Sequence, residues 1–162
     1  MTNSFMREKL ETPNGEKKLL LHSCCAPCSG ELMEALVASQ IDFSIFFYNP
    51  NIHPYREHEE RRSAMQSLAQ KVNLPLSVIE GYDLLEYFRQ VVGHESQPQR
   101  CPYCFRLRLS KTAQVARQQG FTAFTTTLLI SPHQKHDLIR QVGEEQARQQ
   151  GITFLYADLR KR

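Results

Sequence analysis

At 162 residues, with 41% hydrophobic and 23% charged side chains, the chain has the length of one domain and the material for a buried core. Its net charge of +3 is weak evidence for an anionic partner, and no apolar run approaches the roughly 20 residues that span a bilayer. Residues 1–18 are polar and mixed in charge, with no apolar core of a signal peptide, so a cytoplasmic protein without membrane contact is expected.

Residues 1–16 read as a flexible, frayed lead-in, because Pro13-Asn14-Gly15 is a turn signal, and 17–162 as a single α/β catalytic domain. The Leu-rich run 18–23 reads as a first strand buried on both faces. Residues 29–39 carry Leu32, Leu36 and Val37 at helical spacing, with Ser29 as the N-cap. Residues 43–48 form a second strand ending in the turn Asn49-Pro50-Asn51. Pro54 opens a helix over 55–72 with one heavily charged face, on which His58 is expected in solvent.

Residues 76–79 make a short third strand. Asp83 then caps a helix through Val92 that packs with Leu84, Leu85, Tyr87, Phe88 and Val91. A polar loop, 93–100, delivers the chain to Cys101, and 105–119 follow as a long basic helix stopped by Gly120. Residues 121–129, with Thr125-Thr126-Thr127, read as a fourth strand. Ser131-Pro132 starts a helix over 137–150, stopped by Gly151, and Phe154-Leu155-Tyr156 closes the sheet. Strands alternating with helices through short links predict a doubly wound α/β fold, a parallel sheet with helices on both faces.

Five cysteines without an export signal are expected as reduced thiols, and their odd number argues against a disulfide framework. Cys24, Cys25 and Cys28 leave the carboxyl end of the first strand, where α/β proteins usually hold ligands. Cys101 and Cys104 lie much further on, beside Arg100, Arg106, Arg108 and Lys111. Soft thiolates gathered at one point select zinc or an iron–sulfur cluster, and a Cys-x-x-Cys at a helix start gains from the helix N–H groups. Taken alone, a Cys-x-x-Cys is equally a redox dithiol or structural zinc. Cys-Pro-Tyr-Cys is also the glutaredoxin tetrapeptide, but there a strand feeds directly into it, and Ser96-Gln97-Pro98-Gln99-Arg100 cannot be one.

From about residue 17 to 161 the sequence resembles the QueH-type epoxyqueuosine reductase family. The resemblance is carried by Leu21-His22-Ser23-Cys24-Cys25-Ala26-Pro27-Cys28-Ser29, Phe46-Phe47-Tyr48-Asn49-Pro50-Asn51-Ile52 and Arg100-Cys101-x-x-Cys104-Phe105-x-Leu107-Arg108-Leu109. It continues through Phe124-Thr125-Thr126-Thr127-Leu128, Ile130-Ser131-Pro132-His133-Gln134-Lys135 and Leu155-Tyr156-Ala157-Asp158. It implies a Rossmann-like fold related to the nucleotide-binding domains of tRNA-thiolating enzymes, with cysteines in place of their glycine-rich phosphate loop. It also implies an activity, deoxygenation of epoxyqueuosine to queuosine in the tRNA anticodon. The cofactors implied are a [4Fe–4S] cluster and a second mononuclear metal ion, iron or zinc. Cys24, Cys25, Cys101 and Cys104 match the ligand positions, and Cys28 is a further metal ligand.

Such a reaction needs an external electron donor and two protons, for which His22, Tyr48, His53, His133 and Lys135 are candidates, His22 equally as a packed structural histidine. Ser131, the His133 N–H and Lys135 stand where a helix start holds a phosphate or is simply capped. Arg100, Arg106, Arg108, Lys111 and Arg160-Lys161-Arg162 are expected on tRNA phosphates or on a solvated face. Family members usually continue into a Cys-Gly-Cys segment, whereas this sequence ends at Arg162; a shortened member, a fragment, or dispensable cysteines are the readings. Two alternatives remain: a metal-stabilised tRNA-binding module, and a thiolating enzyme, which would need an ATP loop that Cys24-Cys25-Ala26-Pro27-Cys28 replaces.

Overall fold

In the computed structural model, which describes residues 8–160, strand β1 (Lys18–Ser23) is buried along all but its first residue. Its side chains alternate between two cores: Leu20 packs with Phe46, Phe105, Leu109 and Phe124, while Leu19 and Leu21 pack with Leu32, Leu36, Ile45 and Phe47. That is the pattern of a central parallel strand covered on both faces. Helix α1 (Ala26–Ala38), strand β2 (Asp42–Phe47), helix α2 (Tyr55–Val72) and strand β3 (Leu76–Val78) follow. Helices α3 (Leu84–Val91) and α4 (Cys101–Gln118), strand β4 (Ala123–Thr126), helix α5 (His136–Gln150) and strand β5 (Thr153–Phe154) complete the chain. The five strands are all parallel, in the order β3-β2-β1-β4-β5. The doubly wound α/β class expected from the sequence is the one observed.

Several boundaries move, and two of the shifts matter for function. Helix α1 begins at Ala26, with Cys25 rather than Ser29 as N-cap, and Ser29 instead bonds Ser23 and the Cys25 carbonyl. Helix α4 begins at Cys101, four residues before the predicted start. Each helix has a proline (Pro27, Pro102) in its first turn, where the missing N–H costs nothing. Strand β4 stops at Thr126, because that side chain accepts the Leu128 N–H and turns 127–130 into a 3-10 turn. Gly120 and Gly151 do end their helices in the left-handed region, at φ 80° and 65°.

Other expectations fail for packing reasons. Asp83 precedes α3 but makes no side-chain cap; its carboxylate accepts the Tyr48 hydroxyl. On α3 only Tyr87 and Val91 are buried, whereas Leu85 is 68% exposed and Phe88 is also in solvent. His58 is buried rather than solvated, edge-on to Phe47 and tilted against Tyr82. The charges around it pair along α2 instead, as Arg56–Glu60, Arg61–Glu57 and Arg62–Glu59.

Of the predicted lead-in, residues 1–7 lie outside the described residues. Of the rest, Leu10 packs against the core, its N–H donates to Ser39 Oγ, and Asn14 donates to Thr153 Oγ1. No helix among the described residues is long and apolar enough to cross a membrane.

Helix α5 lies against the sheet at Gly143, where an added Cβ would overlap the buried Phe154 ring. Gly143→Ala is therefore expected to cost about 1–3 kcal/mol in urea unfolding, and Phe154→Leu in the same chain should return part of it. No loss in the single variant would contradict this packing.

Candidate metal centre

Winding reverses between β1 and β4, since β2 and β3 extend the sheet to one side and β5 to the other. The crevice outside the carboxyl ends of the strands at such a reversal is the usual ligand site of open α/β sheets. The first cysteine motif leaves β1 there. The Sγ atoms of Cys24, Cys25 and Cys28 all lie within 4.8 Å of one another, with 3.8 Å between Cys24 and Cys25. The Cys25 and Cys28 sulfurs stand 2.8 Å apart, closer than the ~3.8 Å between thiolates around one tetrahedral ion with metal–sulfur bonds of ~2.3 Å, so that pair must spread to hold one. This group could hold a metal ion.

Its protonation is uneven. Hydrogen bonds from Cys25 and Cys28, then from the Thr127 hydroxyl, hold the Cys24 thiol far below the ordinary range, against the opposing effect of burial. Cys25 and Cys28 are pushed up, first by their hydrogen bonds to Cys24 and then by burial. Binding a soft cation would expel the protons that the thiols hold. Thr127 also accepts the Cys24 N–H at 3.0 Å and donates to its sulfur at 3.3 Å, which fixes Cys24 to the turn after β4.

His22, fully buried, lies directly beneath. Its Nε2 is 2.9 Å from the Tyr48 carbonyl, which can only accept, so Nε2 carries the hydrogen. Nδ1 then accepts from the Thr126 hydroxyl at 2.8 Å. Burial first, and the nearby Arg108 charge second, lower its pKa to about 4. With both ring nitrogens engaged, His22 is a neutral strut joining the ends of β1, β2 and β4. It is not placed to hand a proton to a ligand.

Cys101 and Cys104 occupy the first turn of α4 and line a cavity of about 190 Å³ with Asn51, His53, Tyr87, Arg100 and Arg108. Among the described residues they stand outside the three-thiol group. The two motifs share a floor: Cys24 and Cys101 pack against one core cluster, and Arg108 acts electrostatically on both His22 and Tyr87.

The remaining predicted residues separate. Tyr48 faces another cavity, of about 480 Å³, which no cysteine lines; burial, then Asp83, push its phenol up. Lys111 stands over the Tyr48 ring in that same cavity. His133 and Lys135 are exposed, and the His133 N–H already bonds Ser131 Oγ, so the anticipated anion site at this helix start is an ordinary turn. Arg106 is exposed and Arg100 half-buried, but Arg108 is 5% exposed and lies over the Phe105 ring, so it is not part of a solvent-facing stripe. Arg160 pairs with Asp158; Lys161 and Arg162 lie outside the described residues. The sequence reading passed over Asn51, Gln97 and Gln134 as cavity residues. Only the polar turn Asn49-Pro50-Asn51, immediately after β2, could have pointed to the first of them.

Fold and site together define a doubly wound α/β protein with a candidate thiolate metal centre at its switch point. A family model described as "Epoxyqueuosine reductase QueH" matches residues 19–162, and the chain belongs to that family. Curated relatives carrying the same name include those of Histophilus somni (strain 129Pt), 47% identical over 88% of this chain and 60% of that protein. The Haemophilus influenzae relative is 46% identical over 88% and 59%, and that of Dehalococcoides mccartyi 41% over 90% and 79%. The chain thus spans about three fifths of the length of the first two relatives it matches.

A histidine with a lowered folded pKa stabilises the fold fully above its unfolded pKa, and that stability is lost as pH falls through the folded value. As pH falls from 6.5 to about 4, His22 should cost the metal-free protein up to about 3 kcal/mol. Denaturant titrations across that range should show the fall, and His22→Gln should flatten it. Equal slopes in the two proteins would contradict the buried neutral assignment.

Proposed function

We propose that this chain carries the reducing centre of an epoxyqueuosine reductase, taking the epoxide oxygen from epoxyqueuosine in the anticodon of tRNA. The observation that carries the reading is that each cysteine motif stands at a helix start and that Cys24 and Cys101 pack on one core cluster, with no carboxylate lining the cavity beside the second motif. Relatives named for this activity support it. An all-sulfur donor set suits an iron–sulfur cluster or zinc.

The cofactor proposed is a [4Fe–4S] cluster drawing on Cys24, Cys25, Cys101 and Cys104, with a second ion, iron or zinc, for which Cys28 is a further ligand. When bound, such a pair supplies single electrons and Lewis acidity. The reaction balances with two electrons from an external donor and two protons: both epoxide C–O bonds break, a C=C bond forms and the oxygen leaves as water.

Of the candidate proton donors, His53 has the best position. It lines the cavity of Cys101 and Cys104, its Nδ1 donates to the Asn51 carbonyl at 3.0 Å, and in the imidazolium form Nε2–H would be the proton given to the substrate. The Asn51 Oδ1, buried without a partner, is available to a substrate hydroxyl. Arg100 and Arg106 are the cations of α4 best placed for RNA phosphates. The modified base must leave its stack to reach the crevice.

A second reading, a tRNA-binding module stabilised by one metal ion, draws on the compactness of the three-thiol group apart from Cys101 and Cys104.

Oxygen-free protein, reduced chemically and mixed with epoxyqueuosine-containing tRNA, should yield queuosine by nucleoside mass spectrometry. His53→Asn should slow turnover by about 10²–10⁴-fold, and Cys104→Ser should abolish it. Arg106→Ala should weaken tRNA binding and reduce its salt dependence by about one charge. Full conversion after iron removal with zinc bound would refute the reductase reading.

A further inference from the structure

Arg108 is an anomaly within the fold. It is 5% exposed, yet among the described residues it makes no ion pair, and no Asp or Glu lines its cavity. Its polar contact is a long bond, 3.4 Å, from Nε to the Cys104 carbonyl, and its guanidinium lies 5.7 Å from the Phe105 ring centre. Arg100 lines the same cavity and adds a second cation instead of an anion. A buried guanidinium cannot shed its proton, so its charge needs a negative partner.

The acidic groups available to it are thiols. Cys104 lies one helical turn before Arg108 on α4, and Cys101 and Cys104 line its cavity. Across the β1 end, His22 feels both Arg108 and Cys24. Three or more thiolates around a divalent ion carry net negative charge, and binding the ion strips protons from the thiols that still hold them. The cation, which makes no ion pair among the described residues, gains a matching charge once metal binding strips those thiols.

We infer that Arg108 is the counter-charge of the metal centre, a positioning residue that favours the metal-loaded, thiolate state. This rests on the cysteines holding a metal as proposed above, but not on the reductase activity. It predicts opposite signs for the two states. Removing the charge relieves an unpaired buried cation in the metal-free protein and weakens the loaded one.

The test is Co²⁺ titration of the reduced, metal-free chain, followed by cobalt–thiolate absorption, together with thermal melts before metal is added. Arg108→Met should lower Co²⁺ affinity by about 10–100-fold while the metal-free melting temperature stays level or rises. Arg108→Lys, which keeps the charge, should stay within a few-fold of the parent. Unchanged Co²⁺ affinity in Arg108→Met, with weakened tRNA binding, would make Arg108 a phosphate contact and overturn the inference alone. A metal-free melting temperature lowered alike in both variants would show a purely structural role and also overturn it. Absence of any cobalt–thiolate band in the parent would overturn both this inference and the proposed cofactor.

Discussion

The site depends on one buried imidazole. His22, next to last in β1, sets Nε2–H on the Tyr48 carbonyl and Nδ1 on the Thr126 hydroxyl, so three parallel strands are clamped together at their carboxyl ends. Everything reactive is built on that clamp. Two residues later Cys24 is tied to Thr127, the next residue after the Thr126 bond. Asn49, the residue after Tyr48, donates to the Ser23 carbonyl and holds the loop after β2 against the loop after β1. Rigid strand ends, not loop conformations, therefore set where the first thiols stand, which favours a precise metal geometry.

The cysteines themselves come from helix starts. Both α1 and α4 open beside a cysteine, have proline in the first turn and carry another cysteine at its end. Neither has a side-chain cap. A first turn without a side-chain cap is a natural support for thiolates or for the anionic cluster they bind, although in α4 the Cys101 N–H already bonds the Pro98 carbonyl and Pro102 has none. An α/β fold that elsewhere offers this geometry to a phosphate here offers it to sulfur. The same logic makes Arg108 intelligible, since a centre rich in thiolate needs a fixed cation nearby that water cannot screen.

Much of this was legible in the chain. A Leu run too apolar for a surface strand, followed at once by Cys24-Cys25-Ala26-Pro27-Cys28, named a strand buried on both faces and the loop that gathers three thiols. What the sequence hid follows from packing. Helix periodicity could not start α1 or α4 at the right residue, because cysteine and proline carry no apolar stripe and the helices begin inside the motifs. Arg108 was grouped with Arg106 by composition, although i+2 on a helix turns to another face, one buried and one exposed. The three threonines of 125–127 looked like uniform strand. In the fold each does something different: Thr125 bonds the Leu155 carbonyl, Thr126 orients His22, and Thr127 holds Cys24. Tyr48 and Lys111 were grouped with the thiols in the sequence pattern but face a neighbouring cavity.

In the proposed centre, two cysteine motifs far apart in sequence serve one iron–sulfur cluster. Iron, acid-labile sulfide and zinc measured on protein purified without oxygen test it most directly, alongside Cys24→Ala and Cys101→Ala variants. About four irons and four sulfides per chain, lost in both variants, is the expected result. Zinc alone without sulfide, or full iron retained after removal of either cysteine, would contradict a shared centre.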